Sequence, residues 1–223
     1  MPTSAPPISV AARNRVAFPL LVPFVLLASL VAVRWPPLHD LDESVSARMH
    51  EVALASPGWV DTMTWLTHLL SPTAWRVAVL ALVIWLWRRD ARSVAIWAAI
   101  TMIAGGLLGA VLKLLFSRAR PEFLEPVAKA SGYAFPSGHA LNAALGAAVL
   151  LLVLTPMVRG RRLATAGLWA AAIVLPLVTA LTRVVLGVHW LSDVTAGLFL
   201  GAAIAVASAA IHSRRGVPEP VEG

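Results

Sequence analysis

Long apolar runs alternate with short polar segments along most of this 223-residue sequence. A helix needs roughly 20 apolar residues to cross the hydrocarbon core of a bilayer. Six runs are interpreted as such helices, and they cover residues 16–33, 73–87, 93–116, 139–157, 163–183 and 190–211. The pattern predicts an all-α, polytopic membrane protein whose six transmembrane helices form a bundle. The polar segments 1–15 and 213–223 are predicted to be tails, the first of them disordered.

The segment between the first two runs has a different pattern. Apolar residues recur there at helical spacing beside charged residues, in two stripes. The first stripe contains Leu41, Val45, Met49 and Val52, and the second contains Trp59, Val60, Met63, Leu66, Leu69 and Leu70. Both stripes predict short amphipathic helices that lie along the outer membrane surface.

Two glycine pairs lie inside the apolar runs. Gly105 and Gly109 are four residues apart in the third run, and Gly197 and Gly201 have the same spacing in the sixth. Small residues at this spacing let two membrane helices approach closely. We therefore expect a tight helix contact at each pair.

The first run has an alternative interpretation as a cleaved signal peptide, because a basic start precedes an apolar stretch. No small-residue cleavage site precedes Arg34 and Trp35, however, and the run is long. An uncleaved membrane anchor is therefore expected.

Composition narrows the function classes. Hydrophobic residues make up 59% of the chain and charged residues 13%, which is typical of a membrane protein. The chain has no cysteine, so disulfides and thiolate metal sites are excluded. The net charge of +7 is compatible with nucleic acid or anionic lipid as a partner. No basic, aromatic-interleaved soluble segment is present, so nucleic acid is not expected to bind.

The basic residues predict the orientation in the membrane. Ten of the eighteen fall on one side of the predicted spans, namely Arg13, Arg15, Arg88, Arg89, Arg92, Arg159, Arg161, Arg162, Arg214 and Arg215. By the positive-inside rule that side faces the cytoplasm. The sequence thus predicts a multi-pass plasma membrane protein with both termini in the cytoplasm. The opposite side, which faces the periplasm or exterior, carries the remaining polar stretches.

Three polar stretches are predicted to meet at this outer face. They are residues 113–121 at the end of the third span, 136–139 at the start of the fourth, and 182–193 between the fifth and the sixth. Because alternate spans run in opposite directions, all three stretches reach the same height. This convergence follows from topology and does not depend on any motif.

The first two stretches suit an anion. Lys113 and Arg120 are seven residues apart, two turns of a helix that Pro121 would end, and with Arg183 they would form a cluster for a dianionic group. Ser137 is a candidate N-cap of a helix whose free N–H groups can bind an anion. The alternatives are interface cations that reach lipid headgroups and an ordinary capped helix.

Histidines complete the candidate chemistry. His189 and Asp193 are four residues apart, so on a helix the carboxylate would hold one imidazole nitrogen while the other faces a substrate. This arrangement orients a nucleophile or a base. His139 would lie beside the bound anion, where it could protonate a leaving oxygen. No metal is expected, since carboxylates are scarce and positive charge is near. The other outer or terminal histidines, His39, His50, His68 and His212, are interpreted as structural.

Together, the three stretches resemble the signature of the type-2 phosphatidic acid phosphatase superfamily, which includes vanadium-dependent haloperoxidases. The signature is a lysine, six residues and Arg-Pro, then Pro-Ser-Gly-His, then Ser-Arg, five residues, a histidine, three residues and an aspartate. The chain reproduces it at 113–121, 136–139 and 182–193, with Thr182 in place of the serine. The resemblance covers about residues 16–212.

The resemblance implies a role for each matching residue. His189 would be the nucleophile that forms a phosphohistidine, Asp193 would orient it, and His139 would protonate the leaving group. The residues implied to hold the phosphoryl oxygens are Lys113, Arg120, Ser137, Gly138 and Arg183. The family needs no metal or other cofactor. Arg118 lies outside the strict motif and is interpreted as auxiliary.

The implied function is a metal-independent membrane phosphatase that acts on a lipid phosphate or diphosphate at the outer face. Among the family's substrates, undecaprenyl pyrophosphate is favoured, with phosphatidylglycerophosphate and phosphatidate as alternatives. Three other classes remain open: a lipid transporter, a catalytically silent lipid-binding protein, and a haloperoxidase. A transporter site would be expected near the bilayer midplane, between inverted repeats, and no such repeat is evident.

Overall fold

The protein is described by a computed structural model that covers the backbone of residues 10–215 and the side chains of residues 18–213. The elements are α1 (Val10–Ala32), α2 (Pro36–Ala55), α3 (Pro57–Leu69), α4 (Pro72–Arg88), α5 (Arg92–Phe116), α6 (Gly138–Leu154), α7 (Arg162–Val185) and α8 (Leu191–Arg215), with a 3₁₀ turn at Thr155–Val158. Residues 10–215 contain no strand, which confirms the all-α prediction. Residues 1–9 and 216–223 of the predicted tails lie outside the described residues.

Five helical segments are long and apolar enough to cross a membrane, namely Pro57–Arg88, Arg92–Phe116, Gly138–Val158, Arg162–Val185 and Leu191–Ser213. Phe18–Ala32 and Pro36–Ala55 qualify only as a pair, with a bend of 98° between them. Counting that pair once gives six candidate spans in the described part of the chain, the predicted number. An angle of this size is expected when α1 crosses the bilayer and α2 lies along its surface.

The structure differs from the sequence pattern at α3. The second apolar stripe predicts a separate surface helix, yet α3 and α4 together form one 32-residue candidate span. At 1.5 Å per residue this segment is about 48 Å long, whereas the hydrocarbon core is about 30 Å thick. The α3 end therefore extends beyond the core, where Met63 packs against Val185 and Val188 at the end of α7.

Helix α6 is the central element and packs against α4, α5, α7 and α8. Both predicted glycine pairs lie on its neighbours. A Cβ at Gly109 would come within 3.1 Å of Leu141 Cδ1, and one at Gly197 would come within 2.7 Å of the Ser137 carbonyl oxygen. The expected close helix contacts are therefore confirmed, and they bring α5 and α8 against the start of α6.

The polar stretches meet at one end of the bundle, as the topology predicts. Helix α5 ends there, α6 begins there, and the turn between α7 and α8 lies beside them. Residues 117–137 cross this end without regular secondary structure. The backbone hydrogen bonds from Ala134 N to Arg118 O (2.9 Å) and from Ser137 N to Asp193 O (3.0 Å) join this segment to itself and to α8.

Candidate active site

The residues predicted to form the site come together at this end of the bundle, although two local predictions are wrong. Helix α5 ends at Phe116, because Ser117 adopts a left-handed conformation (φ 44°), so Arg120 lies in the following segment and Pro121 does not end the helix. His189 precedes α8 in a turn, so it does not share a helix face with Asp193. Contacts across the segments, and not helical periodicity, bring the residues together.

His189 is almost fully buried, and both its ring nitrogens have partners. Its Nδ1 is 3.4 Å from Asp193 Oδ2, and its Nε2 is 3.1 Å from Arg120 Nη1. A guanidinium can only donate, so Nε2 is the acceptor and the neutral ring carries its proton on Nδ1, facing Asp193. This tautomer leaves the Nε2 lone pair directed towards the cations, where a substrate phosphate would be.

The surroundings of His189 keep its ring neutral. Burial lowers the pKa of His189 well below its usual value, and the charges of Arg120, Lys113 and Arg183 lower it further. Desolvation disfavours the imidazolium, and nearby cations repel it. A neutral imidazole is the form a nucleophile requires, and its Nε2 lone pair would become available once a bound anion accepted from Arg120 Nη1 instead.

Arg120 is held by the loop that covers the site. Its Nε donates to Gly132 O (2.8 Å), its Nη2 donates to Ser131 O (3.0 Å), and its Nη1 donates to Val188 O. Burial lowers the pKa of Arg120, and attraction by Asp193 partly offsets this effect. The guanidinium is thereby fixed next to His189.

The other predicted phosphate-binding residues surround the same space. Lys113 donates to the Tyr133 carbonyl oxygen, and its side chain lies beside Gly138 at the start of α6. Arg183 Nη1 donates to Thr67 Oγ1 of α3 at 2.8 Å. His139 interacts electrostatically with Arg183, His189, Arg120 and Lys113, the first two most strongly.

Two of the predicted phosphate-binding residues have a buried polar group that is unsatisfied. Within residues 18–213, Ser137 Oγ and Arg183 Nε have no hydrogen-bond partner. Ser137 occupies the N-cap position of α6, as predicted, but its hydroxyl makes no capping bond. A buried donor without an acceptor costs about 1–3 kcal/mol, so a bound anion that accepts from both would remove this penalty.

The sequence pattern misses two polar residues of this region, Asp42 and Thr67. Asp42 of α2 is fully buried and pairs with Arg118 Nη2 at 2.8 Å, and Arg118 Nη1 pairs with Asp193 Oδ1 at 2.8 Å. Arg118, interpreted from the sequence as auxiliary, thus joins Asp42 to Asp193. Thr67 supplies the acceptor for Arg183. For Asp42 and Thr67 the available signal is weak, since both lie in segments interpreted as amphipathic surface helices.

Thr182, the departure from the signature, does not face the anion space through its hydroxyl. It is fully buried, and its Oγ1 donates to Thr179 O of the same helix at 2.7 Å. The hydroxyl of Thr182 is therefore satisfied by a hydrogen bond within α7, and the residue packs in the protein interior. Among the described residues, the site included, no group of three or more His, Cys, Asp or Glu residues is arranged to hold a metal ion.

Comparison with known proteins identifies the family. The family model for the PAP2 superfamily matches residues 94–216. The chain belongs to the PAP2 superfamily. The solved structure described as the first transmembrane PAP2 type phosphatidylglycerolphosphate phosphatase, from Bacillus subtilis, superposes with a TM-score of 0.77 at 24% identity, covering 92% of this chain and 98% of that one. The fold and the family predicted from the motifs are confirmed.

Two curated relatives show how far the similarity extends. An undecaprenyl-diphosphatase of Sulfolobus acidocaldarius is 33% identical over 127 residues, which cover 55% of this chain and 57% of that protein. Phosphatidylglycerophosphatase B of Bacillus subtilis is 28% identical over 185 residues, which cover 80% of this chain and 85% of that one. The chain therefore spans little more than half the length of the first of these relatives.

Proposed function

We propose that this multi-pass membrane protein is a metal-independent phosphatase that hydrolyses a lipid phosphate or diphosphate at the outer face of the plasma membrane. In this proposal both termini are cytoplasmic, in line with the positive-inside distribution of the basic residues. The substrate would reach the site from the lipid headgroup region. Polyprenyl diphosphate is the favoured substrate, because the Sulfolobus acidocaldarius relative, at 33% identity, is named an undecaprenyl-diphosphatase. Phosphatidylglycerophosphate is the alternative, because the similarity to phosphatidylglycerophosphatase B covers most of the chain.

The observation that carries the proposal is the set of donors around His189 Nε2. Three cations, Lys113, Arg120 and Arg183, influence this one imidazole, and two buried polar groups of the predicted phosphate-binding residues, Ser137 Oγ and Arg183 Nε, lack partners. The free N–H groups at the start of α6 add donors and a favourable helix dipole. A tetrahedral dianion would satisfy the unpartnered groups and neutralise the cations, and an apolar or cationic ligand would do neither.

The reaction would proceed in two steps. The Nε2 lone pair of His189 attacks phosphorus, the bond from phosphorus to the leaving oxygen breaks, and His139 gives a proton to that oxygen. The lipid alcohol, or the lipid monophosphate in the case of a diphosphate, then leaves. A water oxygen then attacks phosphorus while His139 accepts the proton of that water. The bond from phosphorus to Nε2 breaks, which releases inorganic phosphate and regenerates neutral His189. The cations would stabilise the charge on the transferring phosphoryl group throughout.

The nucleophile assignment is tested by phosphate release from purified protein in detergent with EDTA present. Substrates are polyprenyl diphosphate, phosphatidylglycerophosphate, phosphatidate and a soluble ester. His189→Ala should abolish release from all of them, while His68→Ala, an exposed histidine of α3, should leave release unchanged. Appreciable turnover by His189→Ala would refute the assignment. Loss of wild-type activity in EDTA that a divalent metal restores would refute the metal-independent mechanism.

The acid role of His139 has a separate signature. His139→Ala should lose most activity on substrates with poor leaving groups and least on activated esters, because an activated leaving oxygen needs no proton. Equal losses on both would argue against the role. Lipid flux without phosphate release would indicate the transporter alternative, and vanadate-dependent halide oxidation would indicate the haloperoxidase alternative. Lipid binding without any turnover would indicate a silent binding protein.

A further inference from the structure

A buried carboxylate from α2 belongs to the same polar network as the predicted nucleophile. Asp42 is fully buried, and it lies outside the part of the chain that the family model matches. Its Oδ1 accepts from Ser192 N (2.9 Å), and its Oδ2 accepts from Arg118 Nη2 (2.8 Å) and from Ser192 Oγ. A surface helix thus supplies a charged group to the first turn of α8.

The guanidinium of Arg118 donates to two carboxylates, one with each Nη group. Its Nη2 contacts Asp42, and its Nη1 contacts Asp193 Oδ1 and Ser192 Oγ (2.7 Å). Asp193 therefore receives only one N–H of the guanidinium. Its second oxygen, Oδ2, accepts from Trp190 N (2.9 Å) and lies 3.4 Å from His189 Nδ1.

This division matters because an arginine next to a single carboxylate prefers to bind both oxygens. The bidentate pair has two parallel N–H···O bonds and is stronger than a single contact. Without Asp42, the Nη2 group of Arg118 would be free to turn towards Asp193 Oδ2. It would then compete with the Nδ1–H of His189 for its acceptor.

We propose that Asp42 is a positioning residue for the nucleophile. By holding one arm of Arg118, it keeps the contact between Arg118 and Asp193 on Oδ1 and reserves Oδ2 for His189. Asp42 acts through Arg118 and does not touch the reacting atoms. This role rests on the proposed function, in which His189 Nε2 attacks phosphorus.

The first test compares two alanine variants of the same helix. Asp42→Ala removes the acceptor for Arg118 Nη2, and Asp40→Ala removes the same charge from an exposed position two residues away. Misplacement of a reacting group by about 1 Å can lower a rate on the order of 100-fold. We expect kcat of Asp42→Ala to fall roughly 10-fold to 100-fold relative to Asp40→Ala. KM should change less than about twofold, because Lys113, Arg120 and Arg183 do not contact Asp42.

The second test is a rescue. Arg118→Lys in the Asp42→Ala background replaces the planar fork with a compact ammonium, which cannot bind both oxygens in parallel. The double variant should regain several-fold in kcat over Asp42→Ala. A residue that only fastens α2 to the bundle predicts the opposite, since the second change removes a further contact and should lower activity again.

The outcomes separate the role from simpler explanations. Equal kcat in Asp42→Ala and Asp40→Ala, a loss that appears only in KM, or no rescue by Arg118→Lys would each overturn the proposal. If Asp42→Ala does not fold, judged by thermal unfolding in detergent, Asp42→Asn replaces it, because the amide keeps one oxygen for Ser192 N while its NH₂ group cannot accept from Arg118 Nη2. A kcat loss with unchanged KM relative to Asp40→Asn is again expected, and equal kcat in these two variants would overturn the role. A folded wild type without phosphatase activity would overturn the proposed function and this inference together.

Discussion

A single methyl group at Gly197 should separate the two helices that form the site. Gly197 lies on α8, one turn after Asp193, and faces the start of α6. An added Cβ would be 2.7 Å from Ser137 O, 3.1 Å from Ala140 Cβ and 3.1 Å from Leu141 N. Two of these three atoms belong to the backbone, so they cannot move aside as a flexible side chain would.

The displacement can be read from these distances. Ordinary van der Waals contact begins at 3.4 Å, so the Ser137 carbonyl and α8 must separate by about 0.7 Å. Overpacking of this kind costs about 1–3 kcal/mol. For a protein of this size that corresponds to a fall in Tm of roughly 2–12 °C. The same shift would stretch the 3.0 Å hydrogen bond from Ser137 N to Asp193 O, so activity should fall as well.

The matched control is Gly167→Ala on α7, where an added Cβ meets no atom within 4 Å. Alanine is favoured over glycine in helices by up to about 1 kcal/mol, so this variant should be as stable as the wild type or slightly more stable. Both variants would be followed by thermal unfolding in detergent and by kcat on the best lipid substrate. Equal Tm and kcat for Gly197→Ala and Gly167→Ala would refute the close contact between α6 and α8.

Two further predictions concern the anion site. Thr67→Val removes the acceptor for Arg183 Nη1 and should raise KM about 2-fold to 10-fold with little change in kcat. The control is Thr62→Val, which should change neither constant, because the Thr62 hydroxyl binds only Gly58 O of its own helix. Equal KM values for the two variants would contradict the role of Thr67. Because burial and neighbouring cations lower the pKa of His189, its ring should stay neutral well below pH 6.5 in ¹⁵N NMR titrations, with His189→Gln identifying the signal. Inorganic phosphate should raise that pKa, since an anion favours the imidazolium; a titration midpoint at or above 6.5 in the free protein would contradict the electrostatic argument.

Much of the site could be predicted because it depends on topology more than on local geometry. Once the runs after residue 90 are taken as spans, the end of the third, the start of the fourth and the turn after the fifth must share one face of the membrane. That step needs only the number and direction of the helices. The glycine pairs could be predicted as well, since small residues spaced four apart in an apolar helix indicate a close contact with another helix.

Local backbone choices could not be predicted in the same way. A helix that continued through Arg120 to Pro121 is the natural interpretation of that stretch, because proline ends helices. The chain instead leaves the helix at Ser117 with a positive φ of 44°, a conformation that a serine gives no reason to expect. Arg120 is then held next to His189 by hydrogen bonds to the carbonyl groups of Ser131 and Gly132. The path of the loop sets these contacts.

The hardest distinction concerns two arginines that are separated by one residue. In the sequence, the motif assigns Arg120 to the phosphate and leaves Arg118 as auxiliary, and Asp42 resembles the exposed acids of its helix. In the structure, Arg118 pairs with both Asp42 and Asp193, while Arg120 binds carbonyl groups and faces His189. Arg118 therefore pairs with both carboxylates, whereas Lys113, Arg120 and Arg183 form no ion pair with a carboxylate of the described residues and remain available for an anion. Such a division depends on pairing across 76 residues, which no local pattern encodes.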